Sequence, residues 1–185
     1  MALAVLSLAA LAAAVALLGR LHLLPTGLGP VRDAVSDYGT TPYHALYRAM
    51  AIALGVAAIL LAIGLARETD ATSLAWLWVY GGARIAIAAF MTDRDPPPFT
   101  AEGRIHWLLA AAAFTAIAFA ASDVDWTGAP GVLRALGYAV AATAIATLLT
   151  RIVAPWRRVF GAAERALYVT SVAWLAIAAL DLATA

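Results

Sequence analysis

Two aspartates and two histidines stand where acid–base chemistry could be done. Asp37 precedes His44 by seven residues, and Asp93 precedes His106 across a second loop. A carboxylate within reach of an imidazole can pass a proton, so Asp37, His44, Asp93 and His106 are the candidates for general acid–base work. His22, His44 and His106 are the only three histidines. Three imidazoles can hold zinc when they converge, but this spacing does not demand convergence, so no metal and no cofactor is expected. The chain has no cysteine, which excludes thiolate ligands, cysteine nucleophiles and disulfides. Neither a Gly-x-Ser-x-Gly elbow, a His-Glu-x-x-His zinc motif nor a phosphate-binding loop occurs.

The same neighbourhood suits a second chemistry, the holding of an anion. Ser36, Asp37, Arg84, Asp93, Arg104 and His106 are its candidate binding residues, all but Arg84 on or beside segments from which helices are expected to start. Helix N-termini carry partial positive charge and favour phosphate or carboxylate groups. The bland reading is that the acids neutralise arginines and caps.

The elements that position these residues follow from composition. Of 185 residues, 64% are hydrophobic and 12% charged, with a mean hydropathy of +0.88. Soluble domains hold ~45–50% apolar residues, so a nucleic-acid-binding domain, a disordered chain and nearly every soluble enzyme are excluded. Six apolar runs, at 3–19, 45–66, 74–91, 105–121, 133–153 and 166–182, predict an all-α polytopic transmembrane bundle of six helices in one domain. The first run has no basic residue ahead of it and reads as a retained helix, not a cleaved signal. Ala- and Gly-rich runs predict close helix packing.

All twelve basic residues are arginines. They concentrate in the loops after the first, third and fifth runs, with Arg67 and Arg134 on the other side. The positive-inside rule then places both termini outside the cell membrane and the arginine-rich loops in the cytoplasm. The expected partners are membrane lipid and an anionic ligand, with no nucleic acid; the sequence does not specify an oligomer.

Two segments of that end are informative. Residues 20–44 are apolar but broken by Pro25, Gly27, Gly29, Pro30, Gly39 and Pro42, so they should lie at the interface or fold back over the helix ends, with Thr41-Pro42 starting the second helix. In the second, Asp93 and Asp95 precede the stiff Pro96-Pro97-Pro98, Thr100 is placed to cap the fourth helix, and Glu102 falls in its first turn. Arg84 sits eleven residues into an eighteen-residue run, about 11 Å below this face. A charge at such depth needs a partner. Tyr80, one turn earlier, suits a cation–π contact, and Asp37, before Asp93, is the expected carboxylate.

Val35-Ser36-Asp37-Tyr38, Thr92-Asp93 followed by prolines, Gly103-Arg104-Ile105-His106 and Glu164-Arg165 before a final apolar helix occur in an order that resembles the bacterial and archaeal membrane family called domain of unknown function 998. The resemblance spans nearly the whole chain. It implies a six-helix membrane frame and supports Asp37, Asp93 and His106 as site residues, without supplying an activity. Two functions from different classes follow: binding or moving an anionic lipid headgroup or small anion, or a membrane-embedded hydrolase or transferase built on the Asp/His set.

Overall fold

The computed structural model describes residues 1–66, 71–94, 100–122 and 131–184. Among them, six α-helices and two short 3₁₀ turns account for the regular structure: α1 (Ala2–Leu23), α2 (His44–Leu65), α3 (Ala71–Ile87), α4 (Ala101–Ser122), α5 (Gly131–Ile152) and α6 (Phe160–Thr184), with turns at Ser36–Thr40 and Ala154–Val159. Five helices are long and apolar enough to cross a membrane, and Leu74–Ile87 of α3 is a shorter apolar segment. Each helix packs on its neighbour in chain order, α6 closes against α1, and α2 also touches α6. Large apolar side chains such as Leu108, Tyr138 and Val169 remain exposed on the outside, as a lipid-facing surface requires.

Small residues decide the closest approaches. A Cβ on Gly55 would stand 2.6 Å from the Gly81 carbonyl, and one on Gly81 would stand 2.9 Å from the Gly55 carbonyl, so α2 and α3 meet backbone to backbone. Ser7 of α1 donates to the Ala57 carbonyl of α2 at 2.9 Å. Thr143 and Thr170 join α5 to α6 through their hydroxyls at 2.9 Å.

Three helix ends differ from the sequence expectation. α1 continues through Arg20 to Leu23, because Arg20 and His22 suit its negative C-terminal dipole end. α6 begins at Phe160, six residues before the expected 166, which carries Glu164 and Arg165 into its opening turns. Most consequentially, α3 ends at Ile87 and not Met91: Ala88, Ala89 and Phe90 close tight turns onto Ile85, Ala86 and Ile87. Arg84 therefore lies in the last turn of α3, about 4.5 Å below its end by helical rise. There the C-terminal dipole favours a cation.

The first loop folds back over the helix ends. Val35 and Tyr38 are buried, and the Val35 N–H donates to Glu164 Oε2 at 2.6 Å. The Ala162 N–H donates to the Val31 carbonyl at 3.0 Å. Arg165 fastens the junction, giving Nη1 to the Asp33 carbonyl and Nε to His22 Nε2, each at 2.8 Å.

Candidate functional site

The loops after α1, α3 and α5 gather at one end of the bundle, where α2, α4 and α6 begin. A cavity of about 950 Å³ opens there, near the upper end of the ~300–1,000 Å³ range of ligand sites. Its walls are apolar. Trp107, Ala110, Phe114 and Ala118 come from α4, and Ala141, Ala144, Ile145 and Leu148 from α5. Lining residues on α4 run from His106 to Ser122, about 24 Å along the helix. The cavity therefore follows the bundle over a length that approaches the ~30 Å of a hydrocarbon layer.

The end beside the loops is charged. Arg32, Arg94, Arg151, Arg157 and Arg158 line it, together with Asp33, Asp37 and Asp93. Those carboxylates are already engaged by backbone. Asp33 Oδ2 accepts from the Gly29 N–H at 2.7 Å, and Asp37 Oδ2 from the Ala34 N–H at 2.9 Å. Asp93 Oδ2 accepts from the Thr100 N–H at 2.6 Å. Glu164, also on the lining, takes the Val35 N–H described above. The acids shape the loops through these backbone bonds, and Arg32, Arg94, Arg157 and Arg158 bring positive charge to the same end. Burial pushes the Asp37 carboxyl above its usual range; the Ala34 N–H and the more distant Arg94 and Arg151 oppose that rise. Arg151 is held between the rings of Trp107 and Phe160, 4.9 and 5.4 Å from their centroids.

Thr100 accepts the Gly103 N–H at 3.0 Å, capping α4 as expected, and Glu102 accepts the Met91 N–H. Asp95 and Pro96-Pro97-Pro98 lie outside the described residues.

The candidates from the sequence separate. Ser36, Asp37, Arg84, Asp93 and His106 share the cavity lining; Arg104 and His44 do not, and both are exposed. His44 Nδ1 turns to its own loop, 3.3 Å from the Thr41 carbonyl. His22 places Nδ1 2.7 Å from the Leu18 carbonyl and accepts Arg165 on Nε2, so neither nitrogen is open to a metal. Among the described residues no three His, Cys, Asp or Glu side chains converge to hold an ion. Of the four acid–base candidates, Asp37, Asp93 and His106 line the cavity and His44 does not.

Arg84 corrects a second expectation. It is 1% exposed, yet its partner is neither Asp37 nor Tyr80. The guanidinium lies over the Tyr168 ring of α6, 4.9 Å from the centroid, with Nη2 3.9 Å from the Met50 sulfur. Among the described residues no carboxylate pairs with it. An aromatic face and a polarisable sulfur, together with the end of α3, take the place of a counter-ion. Tyr47, Tyr168 and Glu164 were missed as site residues. The available signal was helical spacing: Glu164, Tyr168 and Ser171 fall on one face of α6, and all three are buried.

Such a fold defines a multi-pass helical membrane protein, with a polar-ended cavity between its helices. The family model described as "Protein of unknown function (DUF998)" matches residues 3–181, and the chain belongs to that family. No curated protein and no solved structure matches the chain.

Proposed function

We propose that this protein binds an anionic amphiphile of the membrane, its charged group at the arginine-lined end and its apolar part along α4 and α5. The observation that carries this reading is the joining of both environments in one 950 Å³ cavity. A small inorganic anion would need the arginines but not the long apolar wall. A neutral lipid would need the wall but not the positive charge that Arg32, Arg94, Arg157 and Arg158 bring to one end of it. The reading places the arginine-rich end in the cytoplasm and both termini outside the cell membrane, following the positive-inside bias.

The test is native mass spectrometry of the full chain released from phosphatidylcholine nanodiscs that also contain phosphatidic acid and phosphatidylglycerol. Anionic lipid should be retained in preference to phosphatidylcholine. Arg94→Gln with Arg158→Gln should weaken retention about tenfold, as expected for losing a charge-assisted contact. Equal retention of phosphatidylcholine, or none of either anionic lipid, would overturn the reading. Single cysteines introduced into the cysteine-free chain test the orientation by reagent accessibility.

A further inference from the structure

Behind the charged end lies a smaller polar group that the arginines do not explain. Arg84, Tyr47 and His106 come from α3, α2 and α4 and are 1%, 2% and 2% exposed. All three line the cavity. Each also has a polar atom without a hydrogen-bond partner among the described residues: Arg84 Nε, the Tyr47 hydroxyl and His106 Nε2. Buried polar atoms are nearly always satisfied. Three unsatisfied ones on residues that line a single cavity, one from each of three helices, are the observation to be explained.

We propose that these three side chains form the inner subsite of the cavity and take a monoprotonated phosphomonoester, the chemistry shared by a phosphatidic-acid-type headgroup and free phosphate. This inference rests on the amphiphile-binding reading above and deepens it.

The donor set selects the ligand. Arg84 Nε–H and the Tyr47 O–H can donate to two oxyanion oxygens. His106 has the opposite polarity. Its Nδ1 lies 2.8 Å from the Phe90 carbonyl, which only accepts, so Nδ1 carries the hydrogen. In the neutral ring, Nε2 is then an acceptor, buried and without a partner among the described residues. The subsite thus asks for two anionic oxygens and one O–H on the same group. A monoprotonated phosphomonoester supplies all three. A phosphodiester has no phosphate proton to give, and an ionised carboxylate has none either. Glu164, also on the lining, has Oε2 occupied by the Val35 N–H and does not compete for Arg84 at ion-pair distance. The guanidinium is fixed by the Tyr168 ring, 4.9 Å away, so it is held in place before a ligand arrives.

The experiment uses the full chain in phosphatidylcholine nanodiscs, with phosphatidic acid and phosphatidylglycerol as probes and inorganic phosphate as competitor. Arg84→Gln removes a buried charge and its packing together, so the decisive variants are Tyr47→Phe and His106→Asn. Wild-type protein should prefer phosphatidic acid over phosphatidylglycerol. Tyr47→Phe should lose about tenfold in affinity for phosphatidic acid, while melting without added anionic lipid at or above the wild-type temperature. That split separates a binding hydroxyl from a structural one. His106→Asn should erase the preference for phosphatidic acid over phosphatidylglycerol. Displacement by excess inorganic phosphate identifies free phosphate as the ligand, and resistance to it identifies the lipid. If wild type retains anionic lipid but Tyr47→Phe binds phosphatidic acid equally well, or the two anionic lipids bind alike, the inner subsite is wrong and the broader reading stands. If wild type retains neither anionic lipid, both fail.

Discussion

The two halves of this bundle, at the α2–α3 contact and along the cavity walls of α4 and α5, use the same residue types to opposite ends. Between α2 and α3, alanine and glycine bring backbones together: ten of the 22 residues of α2 are buried, and Gly55 and Gly81 meet across the contact. Along the cavity walls, alanine leaves space: Ala110, Ala141 and Ala144 line the cavity, although elsewhere on the same helix pair a Cβ on Gly137 would meet the Ala121 carbonyl. A small residue in a membrane helix is therefore not a packing signal by itself. Its meaning depends on whether another backbone or a cavity lies opposite.

The largest expected effect follows from that contrast. Gly81→Leu forces a side chain into the Gly55 carbonyl and Ile59 and should destabilise the protein by about 3 kcal/mol, the upper range for overpacking. Ala144→Leu, the same kind of enlargement on the cavity wall, should change stability by less than ~1 kcal/mol. Thermal unfolding in detergent compares the two, and equal losses would remove the distinction between the halves.

Next is the joint between loop and bundle. Glu164→Ala strips the Val35 N–H of its 2.6 Å acceptor and should cost about 1–3 kcal/mol, the penalty for an orphaned buried donor. Amide exchange should rise at Val35 and the adjoining 3₁₀ turn while the centre of α2 stays protected. Glu164→Gln, which keeps a carbonyl oxygen, should recover part of the loss.

How far the sequence reached is clearest at these positions. The folded-back first loop was legible because Gly and Pro interrupt residues too apolar for water, leaving the bundle end as their place. The six helices were legible from apolar run length, and Thr100 from its position before a helix. The contacts of Arg84 were not. Ala88, Ala89, Phe90 and Met91 continue the apolar run, so hydropathy could not detect the turn that ends α3 and lifts Arg84 toward the bundle end. Tyr168 lies 84 residues away in sequence, and only the closure of the bundle brings its ring to the guanidinium. His22 and Arg104 were drawn into the candidate site by residue type and by their place at helix ends on one face. Which side of a helix faces inward decided against both.

A smaller effect should come from filling the open half. Ala111→Phe with Ala144→Phe places rings on the lining of the cavity and should reduce anionic-lipid retention several-fold while moving stability by less than ~1 kcal/mol. Retained lipid with an unchanged melting temperature would mean that ligand occupies another surface.

The smallest concerns Asp37, whose carboxyl burial raises above its usual range. A raised carboxyl favours the folded state while protonated. Its stabilising contribution is complete below the ordinary aspartate value and is lost as pH rises through the raised one. The stability of wild type relative to Asp37→Asn should therefore decline as pH rises above the ordinary aspartate value of about 4. A difference that grows with pH would reverse the sign and place Asp37 in a more polar setting.

The central claim, that the α4–α6 half encloses an amphiphile, is tested most directly by photolabelling with a phosphatidic acid carrying a diazirine in its acyl chain, followed by mapping of the labelled peptides. The account predicts label concentrated on the cavity walls, at Ala110, Phe114 and Ala118 of α4 and Ala141, Ala144 and Leu148 of α5. Label confined to the outward Leu108, Tyr138 and Val169, which are 71%, 66% and 68% exposed, would contradict it.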